Sequence, residues 1–348
     1  MASRTACEYL SLSLSSPVVV GACPLTMDPE KLRPMIECGA GAVVLPSIFQ
    51  EQLTPQAQMP LDPIQASDLA AQDSRQLIYN GGPDQYVSSI QEIKRISSVP
   101  VIASLNGYCD GPWLDFAKQV AASGADALEL NLQPVIEDLQ QTTEDIETEI
   151  IKMIQRVCQS VTIPVAVKTT RHFTNVAQMM HRIRSAGAAG VVLFAHEVHW
   201  EIAIDRLAWT PRWELTPIDS VGATVAGIVA ARRGTADLSV AASGGVRTAE
   251  DAIKTLIAGA DVVMIASEIY RSGPTAIRRI VQGVERYLDT HGFVSLDEFR
   301  QARPAPHTRS QRLQRLDYLD PLTTSKNYRD PSPVVILEQT GDRYGHRD

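Results

Sequence analysis

Two short stretches of small residues, each at the end of an apolar run, carry the clearest chemical signal in the sequence. The stretch "AASGG" ends with Gly244 and Gly245, and the stretch "IAS" ends with Ala266 and Ser267. Glycine lets backbone N–H groups approach phosphate oxygens closely, and a serine hydroxyl adds a further donor. The two stretches therefore predict a phosphate site, while a glycine pair alone is also compatible with a simple tight turn.

Lys168 is a second candidate for a functional residue, because it ends the apolar run in "IPVAVKTT". An unpaired charge inside a protein is costly, so a cation at the end of a buried strand indicates a polar or anionic ligand beside it. The simpler interpretation is a lysine that reaches solvent. Its position at a strand end favours the functional interpretation.

Candidate proton acceptors are fewer. His196 and His199 occur in "LFAHEVHW", and Cys109 occurs in "LNGYCDG". Histidine has an ordinary pKa suited to general-base catalysis near neutral pH, although a single loop histidine is more often only solvated. A cysteine would need a lowered pKa for the same task.

The elements that position these residues are predicted by a recurring sequence motif, in which a helix that ends in glycine is followed by an apolar strand. The motif occurs as "CGAGAVVLP", "SGADALELNL", "AGAAGVVLFA" and "AGADVVMIAS", and the apolar runs "SPVVVGA", "VPVIASL", "IPVAVKTT" and "LSVAAS" alternate with it. Parallel strands need helical crossovers, and eight of them predict a closed (β/α)8 barrel. The alternative, a doubly wound open sheet, fits less well because no early GxGxxG is present.

In such a barrel the glycine pair follows the seventh strand and Ser267 follows the eighth, where barrels often bind phosphate. Two long loops leave the carboxyl ends of strands: residues 49–82, and the stretch "HEVHWEIAIDRLAWTPRWELTP" after the sixth strand. Loops at this end of a barrel often cover the substrate, which is the role we expect here. The repeating pattern is lost near the C-terminus. We therefore expect a barrel domain over residues 1–302 and an extended C-terminal tail over residues 303–348.

Composition narrows the classes of function. The chain has 348 residues and a formal net charge of −8, without the basic stripe that a nucleic-acid surface requires. Its five cysteines are scattered and lack CxxC spacing, which predicts a reducing compartment and no metal cluster. No uncharged apolar run approaches the roughly 18 residues that span a bilayer. We expect a cytoplasmic protein with no nucleic-acid or membrane partner.

Nearly the whole predicted barrel, about residues 9–300, resembles the dihydroorotate dehydrogenases, which are FMN-containing (β/α)8 enzymes, and especially their soluble class 1 members. The matching stretches are "YLSLSLSSPVVVGACPLT", "PVIASLNG", "GADALELNL", "PVAVKTT", "SGGVRTAEDAIKTLIAGADVVMIAS" and "HGFVSLDEFR". The resemblance implies FMN as cofactor, a small-molecule substrate and a homodimer. The membrane-binding extension of class 2 members is not expected here. The electron acceptor stays open, including a separate electron-transfer partner.

The resemblance also implies roles for individual residues. Lys168 corresponds to the lysine at the pyrimidine edge of the flavin, where a positive charge stabilises the ring as it accepts a hydride. Asn131 is implied to lie near both flavin and substrate, and Asn80 is implied to reach the substrate. The implied cofactor-binding residues are Gly21, Ala22, Ser47, Asn131, Lys168, Gly244, Gly245, Ala266 and Ser267.

The substrate side departs from the family's pattern. The family continues the Asn-Leu pair, here Asn131 and Leu132, with Ser-Cys-Pro-Asn, whose cysteine accepts the substrate proton. After Asn131 this chain reads "LQPVIEDLQ" instead. Pro46 replaces a family lysine after the second strand, and Ala195 and His196 replace an asparagine and a small hydroxyl residue. His196 is our candidate for the missing base. Three functions stay open: oxidation of dihydroorotate to orotate in pyrimidine biosynthesis, FMN chemistry on another small substrate, and flavin binding without turnover.

Overall fold

The structure is a computed structural model that describes residues 3–53, 79–107, 113–133, 138–197, 199–217, 220–235, 237–304 and 319. Cys109, most of the predicted loop over residues 49–82 and nearly all of the predicted tail lie outside the described residues. The division into a barrel domain and a tail therefore stays a prediction.

The predicted (β/α)8 barrel is confirmed. Eight parallel strands form one sheet that closes on itself, because β4 pairs with β3 on one side and with β6 on the other. The sheet order from β4 to β6 is β4-β3-β13-β12-β9-β8-β7-β6, and the short β5 pairs beside the end of β6. In chain order the strands are β1 (Cys7–Tyr9), β2 (Leu12–Leu14), β3 (Val18–Val20), β4 (Ala42–Val44), β5 (Ile48–Phe49), β6 (Val101–Gly107), β7 (Ala127–Leu132), β8 (Val165–Thr169), β9 (Gly190–Leu193), β10 (His199–Ala203), β11 (Ala208–Arg212), β12 (Ser239–Ser243) and β13 (Val262–Ile265).

Helices connect the barrel strands. Most of them are amphipathic, with an apolar face buried in the protein and a polar face exposed, whereas the helix Val221–Arg232 is apolar nearly all round. Within the described residues they are α1 (Pro29–Glu37), α2 (Gly82–Ile96), α3 (Trp113–Ala122), α4 (Thr143–Ser160), α5 (Val176–Ser185), α6 (Val221–Arg232), α7 (Ala249–Ala258), α8 (Ser267–Ser272), α9 (Thr275–Thr290) and α10 (Leu296–Gln301). None of these helices combines the length and the apolar character that a membrane span requires.

In the four copies of the repeated sequence motif, a glycine ends the helix and turns the chain back toward the barrel. Gly39, Gly124, Gly187 and Gly259 come from the four copies of the motif, and their φ angles lie between +99° and +126°. An L-residue with a side chain is strained in this region, so glycine ends the helix and lets the chain enter the next strand. The repeat in the sequence is thus a repeat of this one turn.

The barrel interior is polar at its carboxyl end, unlike the apolar layers that usually fill such barrels. Asn106, Asn131 and Lys168 are register partners on β6, β7 and β8. Ser104 and Glu129 are also register partners, two residues earlier on β6 and β7. Because side chains two apart on a strand share a face, these five residues form two successive polar layers.

Two hairpins flank the barrel. β1 and β2 pair before the first barrel strand, and β10 and β11 pair within the predicted loop after β9. The second hairpin exposes apolar side chains, including Leu207 and Trp209. Part of the predicted long loop after the sixth barrel strand is therefore a β-hairpin.

Candidate active site

A cavity of about 1040 Å³ lies at the carboxyl ends of the barrel strands. This is the end at which barrel enzymes build their sites, and the volume exceeds that of most single small-ligand pockets. The cavity brings together His196 and all of the implied cofactor residues: Gly21, Ala22, Ser47, Asn131, Lys168, Gly244, Gly245, Ala266 and Ser267.

Asn80 is the exception among the predicted site residues. Its side chain is only 3% exposed and does not line the cavity as described. The amide nitrogen donates to the backbone oxygen of Ser47 at 2.8 Å, and the amide oxygen accepts from Gln52 Nε2 at 2.9 Å. Asn80 therefore supports the loop that carries Ser47, and its predicted contact with substrate stays a prediction.

Positive charge is concentrated around the cavity. The chain as a whole carries a formal net charge of −8, yet the charged residues of the described lining are Lys168, Arg171, Arg247, Arg271 and a single carboxylate, Glu197. Cationic side chains around a concave site raise the local concentration of an anionic ligand. Three of these cations are paired with carboxylates, Lys168 with Glu129, Arg171 with Glu197 and Arg247 with Glu268. The lining is compatible with a phosphate or carboxylate ligand.

The two consecutive glycines after β12 lie close to the start of α6. Gly244 and Gly245 have φ angles of +103° and +81°. A Cβ atom on Gly245 would lie 2.4 Å from the backbone nitrogen of Val221 and 2.7 Å from the hydroxyl oxygen of Ser220. The glycine pair therefore meets the first residues of a 12-residue helix at the edge of the cavity, an arrangement that suits the oxygens of a phosphate.

This contact predicts the stability of two glycine variants. Gly245→Ala should lower the free energy of unfolding by about 2–4 kcal/mol, combining left-handed strain with overpacking. Gly292→Ala is the matched control, because Gly292 has φ +77° and a Cβ atom at that position would have no atom of the described residues within 4 Å, its chain neighbours aside. It should lose only the strain of roughly 1–2 kcal/mol. Urea denaturation of both variants measures the difference, and equal losses would contradict the close approach at Gly245.

Ser267 holds the loop on the other side of the cavity. Its hydroxyl accepts a hydrogen bond from the backbone N–H of Thr216 at 3.0 Å, and the two hydroxyls lie 3.1 Å apart. Arg271 donates to the backbone oxygen of Thr216 at 2.5 Å. The segment before α6 is thereby tied to α8, so the loops that follow β9 and β13 are joined at the cavity.

Lys168 is paired with a buried carboxylate, which its sequence alone did not indicate. Its Nζ donates to Glu129 Oε1 at 3.2 Å, the only hydrogen bond that it makes to the described part of the chain. Ser104 also donates to Glu129 Oε1, at 3.3 Å, and lies 2.8 Å from the Ser47 hydroxyl. Because a serine has one proton to donate, Ser47 must donate to Ser104. Towards the cavity Ser47 can therefore act only as an acceptor.

Cysteine and tyrosine groups at the cavity are held in their protonated forms. Burial raises the pKa of the Cys23 thiol to about 11, against a smaller opposing effect of the backbone N–H groups that follow it. Burial also raises the pKa of Tyr270 to about 12, with the neighbouring Cys23 as a further cause, and it raises the pKa of Tyr79 above its usual range. At neutral pH these groups can donate a proton but cannot readily accept one.

His196 and Glu197 are the remaining proton-accepting groups of the described lining. The His196 ring packs against the ring of Trp213 with centroids 4.3 Å apart. The Glu197 carboxylate lies 3.2 Å from His172 Nε2 and 3.7 Å from Arg171 Nε. The side chain of His199, the other predicted histidine, lies outside what the structure describes. His196 is therefore the histidine that the structure brings to the cavity.

Sequence reasoning missed Glu129 and Tyr270. The signal for Glu129 was present, because a carboxylate interrupts the apolar strand "ALELNL", and a buried strand carries a charge only with a partner. Tyr270 gave no such signal, since its place beside Cys23 depends on how α8 leaves the last barrel strand.

Comparisons with known proteins find similarity to dihydroorotate dehydrogenases. A family model described as dihydroorotate dehydrogenase matches residues 217–288, which include the glycine pair and Ser267. The chain is 26% identical over 300 residues to a putative dihydroorotate dehydrogenase A (fumarate) of Aeropyrum pernix, covering 82% of this chain and 93% of that protein. It is 27% identical over 308 residues to the catalytic subunit of a dihydroorotate dehydrogenase B (NAD(+)) of Pyrococcus abyssi, covering 84% and 96%.

The region of similarity to these two relatives extends well beyond residues 217–288. It takes in most of the barrel and reaches the polar strands β6, β7 and β8. The resemblance inferred from the sequence motifs is therefore confirmed. Over more than four fifths of its length the chain is similar to these two dihydroorotate dehydrogenases.

Proposed function

We propose that this protein is an FMN-dependent oxidoreductase of the dihydroorotate dehydrogenase type, acting on a CH–CH bond of a small acid. The observation that carries the proposal is the cation-rich cavity with a glycine pair at one end and the Lys168–Glu129 pair beneath it. FMN, when bound, supplies the acceptor for the substrate's hydride. Both proposed ligands, a phosphate-bearing cofactor and an acid, match the charge of the lining.

The residues present fit FMN in chemistry. Gly244, Gly245 and the start of α6 would hold the phosphate, while Lys168 would face the part of the ring that becomes negative. Asn131 keeps a buried side-chain oxygen, Oδ1, that has no hydrogen-bond partner among the described residues. A buried acceptor of this kind is costly unless a ligand donates to it, which supports a donor-bearing ligand at this place.

Dihydroorotate is the first candidate substrate, in pyrimidine biosynthesis, because the relatives named above bear that activity in their names. Oxidation would move a hydride from one ring carbon to the flavin and a proton from the adjacent carbon to a base. His196 is the proposed base, since the thiol and phenol groups of the lining stay protonated. Cytoplasmic location and a homodimer stay predictions from the sequence.

A second candidate is an FMN oxidoreductase for another small substrate. Ala195, which is 4% exposed, and Gln133 line the cavity at positions where the family resemblance implies an asparagine and the serine of the Ser-Cys-Pro-Asn motif. A smaller side chain and a longer amide change the hydrogen bonds offered to a ring. Loss of turnover with retained flavin is the remaining alternative.

The proposal predicts that the purified protein is yellow and holds one FMN per chain. Protein should be denatured, and the released flavin quantified by absorbance and identified by chromatography against FMN and FAD. The colourless fraction should take up FMN but not riboflavin, because riboflavin lacks the phosphate that the glycine pair would hold. Protein that binds neither flavin after reconstitution would refute the proposed function.

A further inference from the structure

A fully buried carboxylate lies beneath the proposed flavin site. Glu129 is inaccessible to solvent, and its Oε1 atom is the shared acceptor for Lys168 and Ser104. Ser104 in turn accepts from Ser47. Since both Lys168 and Ser47 line the cavity, one buried group lies behind two residues that face the ligand.

The fold itself does not require a charge at this position. Val, Ile and Leu normally fill the interior of such barrels, and burying a carboxylate with an ammonium group costs desolvation energy that their attraction rarely exceeds. Glu129 also keeps its second oxygen, Oε2, buried with no hydrogen-bond partner in the described part of the chain, which adds to this cost. A well-packed apolar residue would serve the barrel at least as well. The carboxylate therefore points to a task in the site.

We propose that Glu129 is a positioning residue for Lys168 and that it lowers the reduction potential of the bound flavin. This inference rests on the proposed function. The flavin ring gains negative charge on reduction, and the Lys168 ammonium favours that charge. A carboxylate oxygen 3.2 Å from Nζ offsets part of the same positive field. Glu129 thus holds the lysine in place and limits how readily the flavin is reduced.

The Glu129→Gln variant separates these two effects. Glutamine has nearly the size of glutamate and keeps a side-chain oxygen that can accept from Lys168, but it carries no charge. The flavin environment of this variant becomes more positive. We expect the equilibrium between oxidised and reduced flavin to move at least tenfold towards the reduced form, which is a rise of about 30 mV for a two-electron couple.

Spectroelectrochemical titration of the FMN-loaded proteins measures this shift without any substrate. Glu129→Asp keeps the charge but withdraws it from the ammonium, so its potential should lie between those of the wild type and Glu129→Gln. The matched control is Asp126→Asn. Asp126 directly precedes β7 and accepts from Lys94 Nζ at 2.6 Å, but it does not line the cavity, and its loss should leave the potential unchanged.

The outcomes distinguish the inference from the proposed function. An unchanged or lower potential in Glu129→Gln overturns the inference, and so does an equal rise in Asp126→Asn. If Glu129→Gln does not yield folded holoprotein, Glu129→Asp carries the test, and a potential equal to that of the wild type overturns the inference. Wild-type protein that takes up no FMN overturns the proposed function and this inference together, whereas a flavin-loaded wild type with unshifted variants overturns the inference alone.

Discussion

The Lys168→Ala variant is expected to bind FMN at least tenfold, and up to about a hundredfold, more weakly than the wild type. The Lys168 side chain lines the cavity and is only 11% exposed, so solvent screens its charge poorly. A hydrogen bond to a charged group of this kind contributes roughly 1.5–3 kcal/mol. Titration of the flavin-free protein with FMN, followed by quenching of flavin fluorescence, gives both dissociation constants.

A loss of stability must be separated from a loss of binding, because Lys168→Ala leaves Glu129 buried without its cation. Removing one partner of a buried pair costs about 3–5 kcal/mol. The double variant Lys168→Met with Glu129→Gln removes both charges and should recover most of that stability without recovering FMN affinity. The control Lys94→Ala breaks the ion pair with Asp126, at 2.6 Å, away from the cavity. If Lys94→Ala weakens FMN binding as much as Lys168→Ala does, Lys168 has no direct role.

The barrel could be predicted because its signal is repeated. Four glycine turns and eight apolar runs all agree with one topology, so an error in any single element would not change the fold. The two hairpins carried no comparable signal. The tight turn between β1 and β2 places Leu10 and Ser11 at φ +54° and +59°, and the turn between β10 and β11 places Leu207 at φ +49°. Hairpin turns with positive φ are normally recognised by glycine or asparagine, and neither turn contains one.

The meeting of the glycine pair and Ser267 at the cavity could also be predicted, whereas the polar network could not. Gly244, Gly245 and Ser267 follow their strands directly, so the barrel topology alone brings them together. The contact between Lys168 and Glu129 depends on which face of β7 points inward. That face is fixed by the register of β6, β7 and β8, and a shift of one residue would move Glu129 to the opposite face.

The His196→Ala variant is expected to keep FMN and to lose nearly all reduction of the flavin by dihydroorotate. Removing a general base typically slows a reaction by 10²- to 10⁴-fold, which is about 3–5 kcal/mol of barrier. His196 is the histidine that lines the cavity, and the thiol of Cys23 and the phenol of Tyr270 have raised pKa values that make them poor acceptors. Anaerobic stopped-flow mixing with dihydroorotate follows the loss of flavin absorbance directly.

The His291→Ala variant is a matched control for this prediction. His291 also packs against an aromatic ring, that of Tyr287 with centroids 4.0 Å apart, but it does not line the cavity, so its loss should leave flavin reduction unchanged. A His196→Ala variant that is reduced as fast as the wild type would remove His196 as the base and leave Glu197 as the accepting group of the described lining. If the wild-type flavin itself is not reduced, dihydroorotate is not the substrate. Ala195 and Gln133 would then be the first residues to examine for a preference for a different substrate ring, because they alter the hydrogen bonds that the cavity offers.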